Sequence, residues 1–295
     1  MRRARAVAIA ALIPTVLRAH AGEPLEPHDL WTAWVFDPGV ILPLLLTAWL
    51  YGRGARRRRG VTARESACFW SGWAVLVIAL VSPLHALGEA LFSAHMAQHE
   101  LLMLGAAPLL VLSRPLVPML WGLPLNWRRA AGQWTKSPLV QRIWRGATNP
   151  FTAWWVHAAA LWLWHAPSWF DATLSNEAVH AAQHISFLGS ALLFWWGLFF
   201  ARGSESYGMG VLYVFTTAVH TSILGALLTC APVVWYSGYG NQALSWGLTS
   251  LQDQQLGGLI MWVPAGVVYV AAGLALFAAW LKTSDAAAAR NSYAN

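Results

Sequence analysis

The 295-residue chain is 57% hydrophobic and only 11% charged, against about 25% charged residues in an ordinary soluble domain. That excludes a water-facing globule, and the twenty tryptophans fit the two interfacial belts of a membrane protein. The net charge of +7 does not point to nucleic acid, because the arginines fall in short segments between apolar runs, where they set topology and meet anionic lipid.

Several apolar runs reach the about 20 residues that a bilayer-crossing helix needs. The fold class is therefore all-α: a polytopic transmembrane helical bundle of about seven spanning helices, N-terminus outside and C-terminus cytoplasmic. Cys68 and Cys230 are too few for a disulfide framework, and the topology puts them near opposite faces, so no bridge is expected.

Residues 1–21 read as a signal peptide: Arg2, Arg3 and Arg5, then a short apolar core, then the small-x-small pattern Ala19-His20-Ala21. An uncleaved first helix is the competing reading. Residues 22–282 form the transmembrane domain and 283–295 a cytoplasmic tail. His20 and His28 read as solvated loop residues.

The first span covers about residues 34–50 and contains Pro38 and Pro43, which predict a kinked or late-starting helix. Arg53, Arg56, Arg57, Arg58, Arg59 and Arg64 follow, and by the positive-inside rule this loop is cytoplasmic. A second span (66–82) runs outward, a short outer connection (83–93) carries His85 and Glu89, and a third span (92–112) runs back in. Residues 113–147 hold six basic and no acidic residues among four tryptophans, the composition of a helix lying on the inner membrane surface. Spans at about 151–165, 177–200, 208–230 and 253–281 alternate to the end. The outer loop before the last span lacks Lys and Arg, so the charge asymmetry agrees at every loop. No convincing internal repeat or separate soluble domain is evident.

On this topology the unusual polar residues converge. His95 and His99 open the third span, His165 ends the fourth, and His180 and His184 open the fifth. Residues four apart share a helix face, so each pair can offer two imidazoles to one ion. Ionisable groups within spans face a bundle interior or a functional cavity, and imidazole with thioether or thiolate suits copper or zinc. His95, His99, His165, His180, His184 and Asp253 are the candidate metal-site residues. Within that set Asp253 reads better as a helix cap or an orienting partner than as a direct ligand. Met103 continues the face of His95 and His99, Met96 points elsewhere, and both read as packing residues. Cys230 is a conceivable soft ligand. His85, His157 and His220 read as structural.

These stretches carry a resemblance. AHMAQHELLMLGAAPLLVLSRP at 94–115, WLWHAP at 162–167, VHAAQH at 179–184 and DQQLGGLIMWVPAG at 253–266 are, in that order and spacing, similar to the CtaG family of caa-type cytochrome c oxidase assembly factors, seven-helix bacterial membrane proteins. The resemblance implies a non-enzymatic, multi-pass protein of the bacterial plasma (inner) membrane. Its partners would be haem-copper oxidase subunits and the lipid bilayer, and it would supply or insert copper. The family's histidines carry over onto His95, His99, His165, His180 and His184, and its acidic position onto Asp253.

Three other readings compete with this one. A metalloprotease needs Glu directly after the first His or directly before the second, and those positions hold Met96 and Gln98. A haem-binding electron carrier or haem-handling protein is the stronger alternative, since histidines on facing helices can ligate haem. A copper transporter would need ligands through the inner half, where mainly His157 and His220 lie.

Overall fold

The computed structural model describes residues 25–58, 60–200 and 207–292. The expected signal peptide at 1–21 lies outside the described residues. In chain order the helices are α1 (Pro38–Arg57), α2 (Ala63–Leu80), α3 (Pro83–Ala90), α4 (Phe92–Glu100), a π-helical stretch (Leu101–Ala106) that continues into α5 (Ala107–Leu112), and α6 (Leu116–Gly122). Next come α7 (Leu125–Trp134), α8 (Pro138–Ala147), α9 (Pro150–Trp164), α10 (Pro167–Ser175), α11 (Glu177–Phe199), α12 (Tyr207–Thr229) and α13 (Ser250–Ser292). There is no strand among the described residues.

Local chemistry sets most of the starts. Asp37 caps α1 ahead of Pro38, a Thr62–Glu65 capping box starts α2, and Ser82 caps α3 ahead of Pro83. Asn149 and Asn176 cap α9 and α11. Each side-chain oxygen satisfies a backbone N–H that the first helical turn leaves unpaired. Pro167 follows the end of α9 as expected and also opens α10, whose Phe170 ring lies 6.4 Å from that of His165.

A helix lies over each of the seven expected segments, but fewer meet the length and hydropathy of a membrane span. Two do so alone, α12 and Ser250–Lys282 of α13. Two bent pairs, α2 with α3 (42°) and Phe92–Leu112 with α6 (67°), raise the number to four. The others are diluted by polarity or short: α1 carries Arg53, α9 has 15 residues, and α11 contains two histidines and a glutamine. Residues 113–147 form three short helices rather than one, interrupted at Pro124 and Pro138, with Trp127, Trp134 and Ile143 exposed on them.

α13 displays the logic of the bundle. Met261, Ala265 and Tyr269, spaced four apart, are buried, while Val263, Val267, Val270 and Leu274 on other faces are 52–65% exposed. A helix apolar all round is one that meets protein on one side and lipid on the other. Its contact with α12 is made through small residues: a Cβ added to Gly258 would lie 2.6 Å from the Thr229 backbone nitrogen, and one added to Gly225 would lie 3.0 Å from the Gly258 carbonyl. Such close backbone approach is how helices associate where lipid competes for every apolar face.

The π-helical stretch has a local cause. Pro108 has no N–H to donate, and its ring would collide with the carbonyl four residues earlier in a regular helix. Widening the helix over Leu101–Ala106 relieves the collision. In the wider register the Met103 carbonyl would pair with residue 108, which cannot donate. Trp195 Nε1 donates to that carbonyl instead, at 2.8 Å, and ties α11 to the bulge.

Gly258→Ala is expected to destabilise the purified protein by about 1–3 kcal/mol through overpacking. Gly266→Ala, whose Cβ would meet nothing within 4 Å, is expected to be neutral or stabilising. Thermal unfolding in detergent measures both, and equal effects would refute the tight α12–α13 contact.

Candidate metal centre

α4 enters the bundle with His95, Met96, Gln98 and His99 all buried, and it does so without a capping residue of its own. Leu91 occupies the cap position and offers no side-chain acceptor. The cap comes from α13: Asp253 accepts from the Phe92 N–H at 2.7 Å with one carboxylate oxygen, and from the Ser93 N–H at 3.1 Å and the Ser93 hydroxyl with the other. Phe92 packs so closely on α13 that a Cβ at Gly257 would fall 2.3 Å from its ring. Asp253 therefore holds the helix that carries the histidines. Its oxygens are spent on that helix start rather than aimed at the imidazoles.

The histidines of α4 and α11 interleave. Ring centroids are 4.4 Å apart for His95 and His99, 4.3 Å for His180 and His184, 5.1 Å for His95 and His180, and 5.3 Å for His99 and His184. One potential ligand atom from each of His95, His180 and His184 lies within 4.8 Å of the other two. His95 and His184 are buried, while His180 is only partly so and forms the accessible side of the group.

Hydrogen bonds orient the rings. His95 Nδ1 lies 3.3 Å from the Gly88 carbonyl, which can only accept. The Tyr239 hydroxyl lies 3.1 Å from the same carbonyl and 3.2 Å from Nδ1. On the other side His95 Nε2 lies 3.2 Å from Gln183 Oε1, also an acceptor, so a neutral ring has a proton for one side and turns a bare lone pair to an acceptor on the other. Backbone carbonyls behind a ring are usual orienting groups of metal-ligating histidines.

Several nitrogens have no partner among the described residues: Nε2 of His180, Nε2 of His184 and both ring nitrogens of His99. Buried polar atoms left unpaired cost about 1–3 kcal/mol each. The described residues thus present a group of imidazole donors that a bound cation would satisfy, and the all-nitrogen donor set fits copper or zinc.

The remaining expected residues separate by position. His165 lies at the edge of the cluster, 6.4 Å ring to ring from His99, with Nδ1 2.6 Å from the Leu161 carbonyl. Cys230 is an exposed free thiol and Cys68 is also free. Met103 packs in the core below. His157 donates or accepts at Ser190 (3.1 Å), and His220 packs on Trp154; neither belongs to the cluster.

Two features were missed in the sequence. His85 stacks on His180 at 5.5 Å with rings 5° from parallel. Gln98 donates to the Ala79 carbonyl at 2.7 Å and meets His85 Nδ1 at 2.8 Å. Because Ala79 requires the amide nitrogen on that side, His85 Nδ1 is the acceptor. The available signal was a shared pattern: His95-Met96-Ala97-Gln98-His99 and His180-Ala181-Ala182-Gln183-His184 both read His-x-x-Gln-His. In each, the glutamine reaches a histidine on another helix.

The chain matches the cytochrome c oxidase caa3 assembly factor family, Caa3_CtaG, over residues 47–283. The chain belongs to that family. Among curated proteins, uncharacterized protein Mb0105 of Mycobacterium bovis is 28% identical over 274 residues, covering 88% of this chain and 41% of its own length. Uncharacterized protein ML1998 of Mycobacterium leprae is 24% identical over 291 residues, covering 91% of this chain and 42% of its own. The chain thus spans about two fifths of the length of these relatives. No solved structure matches it significantly.

Asp253→Ala removes three charge-assisted hydrogen bonds at one helix start, where bonds to a charged group contribute about 1.5–3 kcal/mol each. The expected result is a lower unfolding temperature and faster hydrogen exchange at the Phe92 and Ser93 amides, with the middle of α4 still protected. Unchanged exchange there would show that the cap is not what holds α4.

Proposed function

We propose that this family member binds copper at His95, His180 and His184 and presents it to a subunit of a haem-copper oxidase during assembly. The observation that carries the reading is the convergence of three imidazole donors from two helices, with His180 partly accessible. His99 and His165 extend the donor set inward, and Asp253 serves by positioning α4. Three donors meeting near one point favour an ion over a macrocycle, since haem takes its axial ligands from opposite faces.

The protein works in this reading without catalysis, as a multi-pass protein of the bacterial plasma membrane. Seven helices cross, the N-terminus lies outside, and the basic segments around 53–64 and 113–147 lie inside, following the positive-inside rule. The histidine cluster then sits near the outer surface, toward the compartment where an oxidase's exposed copper is loaded. A neutral three-imidazole site holds copper with ligands that exchange readily, which suits delivery better than a closed thiolate cage.

Copper measured on purified protein after growth with copper is expected at one or two per chain. The His95→Ala/His184→Ala double variant should lose at least half of it while remaining in the membrane. Equal copper in both proteins would refute the shared site. For topology, single cysteines placed near residue 240 should react with an impermeant maleimide from outside, and those near residue 57 only after the membrane is opened. The reverse pattern would overturn the orientation.

A further inference from the structure

Met96 and His165 meet just beyond the triad. Met96 is fully buried, and its Sδ lies 3.4 Å from His165 Nε2. His165 Nδ1 sits 2.6 Å from the Leu161 carbonyl, which can only accept, so the ring's proton is on Nδ1. A neutral imidazole held that way turns the lone pair of Nε2 toward the thioether. The thioether has no hydrogen to give. Two lone pairs therefore face each other across 3.4 Å. The sulfur sits at the ring edge, where thioethers commonly pack, but against the one edge atom that carries a lone pair in place of a hydrogen.

The spacing is that of two donors sharing one ion. With metal–nitrogen and metal–sulfur bonds of about 2.0 and 2.3 Å, as in zinc sites, a tetrahedral ion separates its N and S donors by about 3.5 Å. A further donor is at hand: both ring nitrogens of the buried His99 lack partners, and its ring lies 6.4 Å from His165 and 4.4 Å from His95.

The surroundings are built around this contact. Tyr236 donates to the His165 carbonyl at 3.0 Å. Gly257 leaves the room that Met96 occupies, since a Cβ there would lie 3.2 Å from Met96 Cγ. Phe92, Phe170 and Tyr236 pack with Met96 in one apolar cluster that walls the pair off. Dehydrating an ion scales steeply with its charge, so such a place admits a monovalent cation far more readily than a divalent one. Thioether with imidazole is the donor mix that selects monovalent copper.

We infer that Met96 and His165, with His99 between them and the triad, form a second, softer subsite for monovalent copper. The inference rests on the copper reading above and divides the site in two. The partly exposed His180 side receives the ion. The secluded thioether side holds it in the reduced state, and His99 is the ligand that can belong to either.

The test uses the purified full chain in detergent, titrated without oxygen with copper(I) against a chromophoric chelator and separately with zinc(II). Wild type should take two copper(I) ions and one zinc(II), and Met96→Leu should take one of each. X-ray absorption of copper(I)-loaded wild type should show a sulfur neighbour at about 2.3 Å that Met96→Leu lacks. Protein grown on selenomethionine should replace that neighbour with selenium, which covers the case of a variant that fails to fold. Copper held by nitrogen alone in wild type, with zinc still bound, would overturn the second subsite and leave the triad standing. Failure to bind either metal would overturn both.

Discussion

The start of α4 has backbone N–H groups to satisfy and no residue of its own to do it, and the arrangement of the site follows from how the chain meets that need. Asp253 reaches across 161 residues of sequence to cap Phe92. Within an apolar surround an uncapped helix end is far more costly than in water, so α4 and α13 are fixed end to end. Gly257 allows Phe92 to lie against α13, and Phe92 in turn stacks on Tyr236 at 4.6 Å. Tyr236 and Tyr239 then reach the His165 carbonyl and the His95 ring. One carboxylate thus sets the height of the helix that brings His95 and His99 level with His180 and His184.

Much of this was legible in the sequence because the relevant signals are local and periodic. Histidines four apart must share a helix face, and the Lys and Arg runs had to lie between apolar segments. The caps at Asp37, at Thr62 with Glu65 and at Asn149 are equally local, although they were not among the features read from the sequence. The less legible features depend on what lies across the bundle. Met96 follows His95 directly, so helical spacing turns it away from His95 and His99, and nothing local places His165 there to meet it. His85 sits on a short helix in what reads as a connecting loop, and only the fold stacks it on His180. The break of 113–147 into three helices lies at Pro124 and Pro138, which outweigh the amphipathic composition.

The span number illustrates the same limit. Length and hydropathy identify α12 and α13 directly, and two more crossings only if bent pairs are joined. Of the segments that fall short, α9 is too short, and α11 and α1 are diluted by polar residues, two histidines with Gln183 and Arg53 respectively. Polar residues on one face lower the mean hydropathy of a helix, which is why α11, with His180, Gln183 and His184, is not recognised by composition alone.

The distribution of polar groups along α11 bears on what the site does. His180 and His184 lie in its first two turns, and Phe187 follows, packed against His99 at 4.6 Å and His165 at 5.9 Å. Below it Phe194 and Trp195 stack with Tyr213 and Tyr269, and His157 is bound to Ser190. The donors crowd one end of the bundle and give way to aromatic packing, with His157 already committed to a protein partner. Among the described residues, an ion at His180 has further donors sideways at His99, Met96 and His165, whereas other buried groups without partners, such as Glu100 Oε2 and the His220 ring, fall outside the three-histidine group. Donors gathered at one end in this way suit the hand-over proposed above better than conduction through the bundle.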